Sequence, residues 1–334
     1  MLLSIIIVSY NTELLTKRAV ESVLRDIERS AVLADQTEII VVDNASSDAS
    51  VVMLKKMKRQ TSIPFRILAN TTNDGFAGAN NKAIQRSTGA YVLLLNPDTY
   101  VQAGCLEKLV ATFERLLPDS DTAYSADKHD PFDRLGIVAA TLLNPDGTIQ
   151  AQGGDLPTLL SVAAQYLLID DIPILGRVFP TTQHGPNRSQ PPVNYTASSE
   201  LELLPKGWVG GTAMLIRRAV FDEIGYLDEY IFMYGEDIEF CQRAADHHWD
   251  VCQHPSARVT HLQSASAGTP AAILGEAKGY VYIWAKHKPA WQKPFLTAIL
   301  RTGALLRMVL FTILSAPRQK IAPYESIWEK ANLW

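Results

Sequence analysis

The first hundred residues of this chain alternate four times between two kinds of pattern, and that alternation limits the possible folds most. Aliphatic and β-branched runs at 3–9, 37–43, 65–69 and 90–95 read as strands, while 13–29, 48–59 and 77–87 carry helical periodicity. Strands joined by helices of this length need crossover connections, which implies a parallel sheet covered on both faces. Ile5-Ile6-Ile7-Val8 agrees, being apolar at every position as a strand buried on both sides requires. Ligands of such sheets bind beyond the carboxyl ends of the strands. Three of the four runs end in polar clusters, Ser9-Tyr10-Asn11, Asp43-Asn44 and Asn96-Pro97-Asp98, which should therefore converge. The turn at 43–46 and Asp48 also suit the capping of the second helix.

The pattern then loosens. Residues 118–134 are polar with five Asp and read as a surface insertion, and 176–205, with five Pro, read as a mobile loop beside the site. Order returns at 207–217, followed by helices at 218–224 and 236–247, short strands near 250–253 and 257–262, and a helical remainder from 270 to 334. No internal repeat is visible.

Composition narrows the class. With 334 residues, 47% of them hydrophobic and 20% charged, the chain has ample material for a core and is neither collagen-like nor disordered. Its cysteines, Cys105, Cys241 and Cys252, form no C-x-x-C pair, which argues against a zinc ribbon and fits a reducing compartment. Met1–Tyr10 has no basic segment, so it does not read as a signal peptide, and no charge-free run reaches 18 residues. The net charge of −4 argues against nucleic acid as a partner, but it is unevenly spread. Residues 277–334 hold nine Lys/Arg against two acids, a net +7, which leaves −11 on residues 1–276. A basic tail on an acidic body suggests that the tail meets something anionic.

Several residues suit chemistry, and each also has a structural reading. Asp98, at the end of a buried run, could hold a divalent metal against a diphosphate, and Asn-Pro-Asp equally makes a good turn. Asp43 can accept from a ribose hydroxyl or a base N–H, or cap a helix. The loop Asn73-Asp74-Gly75-Phe76-Ala77-Gly78-Ala79-Asn80-Asn81 can offer backbone N–H groups to phosphate but lacks the G-x-G-x-x-G spacing. Glu236-Asp237 opens a helix, whose dipole would depress a carboxyl pKa and leave an ionised base at pH 7. Trp208 with Gly210-Gly211 reads as a wall with a close backbone approach or as core, and His261 matters only if it lies beside an acidic metal site.

Taken together and in order, VSYN at 8–11, VDNASSD at 42–48, NDGFAGANN at 73–81, LLLNPD at 93–98, WVGG at 208–211, YGEDIEFCQR at 234–243 and His261 resemble the family 2 glycosyltransferases of GT-A fold. The likeness covers about residues 3–265 and is greatest to the bacterial rhamnosyltransferase branch. It implies an α/β nucleotide-sugar-binding fold with a mainly parallel central sheet flanked by helices, plus a helical C-terminal extension. The implied division is 1–268 as the transferase, with 1–100 binding nucleotide and 101–268 serving acceptor and catalysis. The basic extension would be 269–334. By the same resemblance Ser9, Tyr10, Asn11, Asp43, Asn73, Gly75, Asn81, Asn96 and Asp98 line the donor nucleotide site, and Trp208, Gly210 and Gly211 form the acceptor or sugar pocket. Asp98 and His261 would bind Mg2+ or Mn2+, and Asp237, with Glu236 beside it, would act as the base. The family's metal-binding D-x-D falls on Asn96-Pro97-Asp98, where Asn replaces the first acid.

The implied reaction is inverting, metal-dependent transfer of a sugar to a hydroxyl of a saccharide or polyprenyl-diphosphate-linked acceptor, in cell-surface polysaccharide synthesis. The donor is expected to be dTDP-L-rhamnose, with UDP-galactofuranose or a UDP-hexosamine as alternatives. A Rossmann oxidoreductase would show the glycine fingerprint, and a nucleotidyltransferase a basic, Gly-rich loop after the first strand; Ser9-Tyr10-Asn11-Thr12 is neither. A non-catalytic sugar-nucleotide-binding protein is favoured only by Asn96. Segment 289–316 is strongly apolar and reads either as a core helix or as a helix lying on an anionic membrane surface. The expected location is the cytoplasm, peripheral on the inner face of the cell membrane, with a homodimer left open.

Overall fold

The computed structural model describes residues 1–114, 134–170, 172, 182–183, 193–194, 202–263 and 269–334. The expected insertion at 118–134 lies outside the described residues except for Arg134, as does most of the expected loop at 176–205.

β1 (Leu3–Ser9), α1 (Glu13–Ile27), β2 (Thr37–Asp43), α2 (Ser50–Lys58), β3 (Phe65–Ala69), α3 (Gly75–Ile84) and β4 (Tyr91–Leu95) follow one another as the alternation requires. The strands pair in parallel in the order β3-β2-β1-β4. Their register aligns the polar ends: Ser9 lies opposite Asp43, Asp43 opposite Ala69, and Ile7 opposite Leu95. β1 feeds both faces of the sheet. Leu3, Ile5 and Ile7 join a core with Val20 and Val23 of α1 and Leu54 of α2, whereas Ile6 joins a second core with Ala79 and Ile84 of α3. Asp48 does more than serve α2, because its carboxylate accepts from both Ser50 N and Glu13 N at 3.0 Å. It thereby ties together the starts of two helices, where their dipoles favour a negative charge.

Past β4 the sheet becomes mixed. The next elements are β5 (Thr99–Val101), α4 (Cys105–Glu114), β6 (Leu135–Leu143), α5 (Leu159–Tyr166), β7 (Val193–Asn194) and β8 (Glu202–Lys206). After them come β9 (Ala213–Arg217), α6 (Arg218–Ile224), α7 (Glu236–Asp246) and β10 (Asp250–His261). The full order is β3-β2-β1-β4-β9-β6-β10-β8-β7, with β5 paired to β10. One strand, β10, replaces the two short ones expected there. Its pairing with β6 slips between His254 and Arg258, around Pro255, which has no N–H to give a ladder. Two antiparallel pairings bear on the site: β9 sets Ala213 opposite Leu95, and β10 sets His261 opposite Thr99.

Three helices complete the chain: α8 (Pro270–His287), α9 (Gln292–Ile313) and α10 (Arg318–Lys330). Thr269 caps α8 by accepting from Ala272 N at 3.2 Å, with Pro270 at the first helical position. Tyr280, Trp284, Leu296, Leu300 and Ile327 share the second core with Ile216 of β9 and Phe240 of α7. At 22 residues, α9 is long and apolar enough to cross a bilayer by length and composition, which the absence of a charge-free run of 18 residues did not suggest. Its three charges all have partners in the fold: Lys293 donates to Trp334 O at 3.0 Å. Arg307 donates to the carbonyls of Tyr166 and Gln165 at the end of α5, and the Arg301 guanidinium lies 4.6 Å from the ring centroid of Trp328.

Because Trp284 is 1% exposed within a core shared by sheet and tail, Trp284→Ala should destabilise the whole molecule by about 3–5 kcal/mol. Urea unfolding followed by circular dichroism should show one transition at lower denaturant. A separate early phase confined to part of the helical signal would mean that the tail folds apart from the sheet.

Candidate active site

Where β1, β2 and β4 end, a cavity of about 320 Å3 opens, and its walls include Tyr10, Asn44, Asn73, Gly75, Asn96, Asp98, Gly211, Glu236 and Asp237. Its wall on the side of β2 and β3 is held by Asn44. The Asn44 amide donates to Asn73 Oδ1 at 2.8 Å and Gly75 O at 3.1 Å, and accepts from Asn70 Nδ2 at 2.9 Å and Asp74 N at 3.0 Å. One buried side chain thus fixes the whole β3–α3 loop. Asp43, beside it, accepts from Ser46 N at 3.1 Å through Oδ2, while Oδ1 is buried and has no hydrogen-bond partner. A buried carboxylate oxygen left unpaired is costly, so it is suited to accept from a ligand N–H or O–H.

The opposite wall is carried by the loop at 225–235, which is fastened to α3. Asn81 donates to Leu227 O at 2.8 Å and Glu229 Oε1 at 2.9 Å, and Phe76 N donates to Phe232 O at 2.8 Å. Gly75 makes this approach possible: its φ is +73°, and a Cβ there would stand 2.2 Å from Phe232 O. The loop then turns through two left-handed residues, Tyr234 at φ +72° and Gly235 at +111°, and delivers Glu236 and Asp237 to the start of α7. A non-glycine residue held in this region stores strain, a feature that clusters at functional sites.

Burial reverses the expected pKa direction for this acidic pair. Instead of being depressed by the helix dipole, both carboxyls are raised. The Glu236 carboxyl is pushed up to about 8, by burial first and then by the neighbouring charge of Asp237. Asp237 is raised by burial, against the pull of the N–H groups of Ile238 at 2.8 Å and Gly211 at 3.3 Å. Glu236 Oε2 is buried with no hydrogen-bond partner, whereas both Asp237 oxygens accept from backbone. Two like charges cannot comfortably share this volume, so Glu236 is the protonated member and Asp237 the ionised one.

Across the cavity, Asp98 meets His261. His261 Nε2 lies 3.3 Å from Asp98 Oδ1, and Nδ1 lies 2.7 Å from Gln150 Oε1. The Gln150 amide nitrogen donates to Asn144 Oδ1 at 2.9 Å, which orients its oxygen toward the ring and assigns the proton to Nδ1. Nε2 is then left facing the carboxylate. Among the described residues no group of three His, Cys, Asp or Glu is placed to hold a metal. Mg2+ is often held by one or two carboxylates with substrate phosphates filling other positions, and imidazole suits Mn2+. An oxygen and a nitrogen donor side by side fit such an ion if the remaining ligands come with the substrate.

Of the residues expected to bind, Tyr10, Asn73, Gly75, Asn96, Asp98, Gly211, Glu236 and Asp237 line this cavity. Ser9, Asn11, Asp43, Asn81, Trp208, Gly210 and His261 are not among its lining residues, Asp43 and His261 adjoining it through Asn44 and Asp98. Ser9 Oγ bonds to Thr16 Oγ1 at 2.8 Å, and Asn11 Oδ1 accepts from Ser47 N at 2.8 Å, joining the β1–α1 and β2–α2 loops. Asn81 anchors the 225–235 loop as described. Trp208 is buried, its Nε1 donating to Thr182 O at 2.8 Å, and Gly210 O accepts from Gln152 Nε2 at 3.2 Å. Gly211 does need its size, since a Cβ would lie 2.9 Å from the Phe76 ring. Sequence reasoning missed the hub role of Asn44, although its place beside Asp43 was a signal. It also missed Gln150, for which no signal existed.

Residues 4–137 match the family model described as glycosyl transferase family 2. The chain is 25% identical over 300 residues to an N-acetylglucosaminyl-diphospho-decaprenol L-rhamnosyltransferase of Mycobacterium tuberculosis, a match covering 84% of this chain and 85% of the relative. In fold it is similar to a mannosyltransferase from Pyrobaculum calidifontis solved with GDP-Man and Mn2+, with a TM-score of 0.54 and 16% identity over 99% of this chain and 87% of that one. It is also similar to GalNAc-T7 solved with UDP, GalNAc and Mn2+, with a TM-score of 0.60 and 16% identity over 99% of this chain and 54% of that one.

The raised Glu236 pKa has a consequence for stability. The folded chain keeps a proton that the unfolded chain releases between the ordinary value of 4.5 and about 8, so stability falls as pH rises through that window. Each unit of displacement is worth ~1.4 kcal/mol. Glu236→Gln should flatten the fall in urea midpoint between pH 5 and pH 8. An unaltered slope would show that Glu236 is not the group holding the proton.

Proposed function

We propose that the chain, whose residues 4–137 match the family 2 glycosyltransferase model, is an enzyme of that family, and that it transfers a sugar from a nucleoside diphosphate to a hydroxyl of a lipid-linked saccharide, with inversion at the anomeric carbon. The observation that carries the proposal is that Asp98, at the end of β4, and Asp237, at the start of α7, open into one cavity. L-Rhamnose carried on dTDP is the proposed donor, supported by the name of the mycobacterial relative. UDP-galactofuranose and UDP-hexosamines are the alternatives. A lipid-linked acceptor would put the work at the inner face of the cell membrane.

In this reading the unpaired Oδ1 of Asp43 accepts the N–H of a pyrimidine base, and Tyr10 offers a face beside it. Ser9, Asn11 and Asn81 position the loops around the donor. Asp98 and His261 would hold Mg2+ or Mn2+, the donor set being the carboxylate oxygen and imidazole nitrogen described above. When bound, such an ion neutralises negative charge that builds on a departing diphosphate.

Asp237 takes the proton of the acceptor hydroxyl as that oxygen attacks the anomeric carbon. The bond from this carbon to the phosphate oxygen breaks, and the nucleoside diphosphate leaves with the electron pair. One base and a single displacement give inversion. The N–H groups of Gly211 and Ile238 fix the Asp237 carboxylate, so little reorganisation is needed as the proton moves. Glu236, protonated and lacking a partner for Oε2, donates a hydrogen bond to a hydroxyl or ring oxygen of the bound sugars.

Asp237→Asn should lower transfer by ~10²–10⁴ while leaving donor KM little changed, read by release of nucleoside diphosphate. Undiminished turnover would remove Asp237 as the base. For Asp98→Ala, thermal-shift titration with dTDP-L-rhamnose and UDP-sugars should lose the stabilisation that Mn2+ adds in the wild type. A retained Mn2+-dependent shift would place the ion elsewhere.

A further inference from the structure

The outer face of α9 has no partner among the described residues. Trp291 and Phe295 are 62% and 58% exposed at its start, and Ile313 and Leu314 are 74% and 65% exposed at its end. Leu306 and Val309 are also exposed and continue the same helical stripe between them. The opposite face is committed to the body: Leu296, Leu300 and Ala304 are fully buried, and a Cβ on Gly303 would stand 2.6 Å from Tyr166 O. Of the three charges within the helix, Arg301 and Arg307 are turned onto Trp328 and the end of α5, and Lys293 donates to the Trp334 carbonyl at 3.0 Å.

Charge indicates what covers this stripe. Between Glu276 and Glu325 the chain contains no acidic residue. Where the stripe ends, Arg318 and Lys320 at the start of α10 are exposed and make no ion pair among the described residues. An apolar stripe with tryptophan at one end and free cations at the other, on a helix fixed along its opposite side, matches the water boundary of an anionic bilayer. Crossing the bilayer would require α9 to leave the second core and expose Arg301 and Arg307 to hydrocarbon, which is expensive.

We infer that α9 lies flat in the surface of an anionic membrane, inserting the stripe from Trp291 to Leu314 while Arg318 and Lys320 meet lipid phosphates. This extends the membrane-face location proposed above to a named surface, and it does not depend on which sugar is moved. Failure to bind lipid would leave transfer to a water-soluble acceptor intact, so the two readings fail separately.

The test is sedimentation of the protein with vesicles of phosphatidylcholine alone or of phosphatidylcholine mixed with phosphatidylglycerol as the anionic lipid. The expected result is binding to the anionic vesicles, lowered at least tenfold by Val309→Glu with Ile313→Glu and weakened by salt or by Lys320→Glu. Thermal melting should be unchanged in these surface variants. Bound protein should be released by alkaline carbonate. Absence of binding, equal binding by the double variant, or resistance to carbonate would each overturn the inference. So would a wild-type dimer that the double variant splits into monomers, because a second copy would then cover the stripe.

Discussion

The site depends on the contact between the start of α3 and the loop at 225–235. Only a glycine at position 75 lets the Phe232 carbonyl come close enough to accept from Phe76 N, and Asn81 fastens the same loop two turns further along α3. Without that fastening, Glu236 and Asp237 would have no fixed relation to the strand ends. The parallel half of the sheet supplies the strand ends, and the loop brings the acid pair to them. Gly275 and Gly279 of α8 complete the support, since a Cβ on either would collide with Tyr234.

Burial then sets the chemistry of the acid pair. A single exposed carboxylate would be ionised but weakly basic, whereas two in a confined space divide their roles. Backbone N–H groups hold both Asp237 oxygens, whereas Glu236 keeps one buried oxygen, Oε2, without a partner and is raised further by the charge of Asp237. At Asp98 the neighbour is instead a histidine, His261, oriented from behind by Gln150. β10, not the loop that carries Asn96, brings this nitrogen donor to Asp98.

How far the fold could be read ahead followed from the range of the interactions. β1 to β4 and their helices are local units with strong periodicity, and their ends were legible to within three residues. The strand-end clusters were legible for the same reason, because register in a parallel sheet aligns them. β9 inserted antiparallel between β4 and β6, and the β5–β10 pairing that carries His261 to Asp98, join residues far apart in sequence and left no local trace. Ser9, Asn11 and Asn81 were recognisable as polar residues near the site, but polarity does not reveal whether a side chain faces a ligand or a neighbouring loop. The pKa direction of Glu236 and Asp237 was misjudged because a helix dipole is visible in sequence and burial is not. In α9, composition hid the fact that both arginines face inward.

The account rests on Asp237 acting as a single base in one displacement between a donor at the strand ends and an acceptor at the start of α7. The anomeric configuration of the product tests this most directly. Proton NMR of the glycoside formed from dTDP-L-rhamnose, compared with the configuration in the donor, should show inversion. Retained configuration would require a second displacement or a covalent intermediate, and would contradict the role assigned to Asp237.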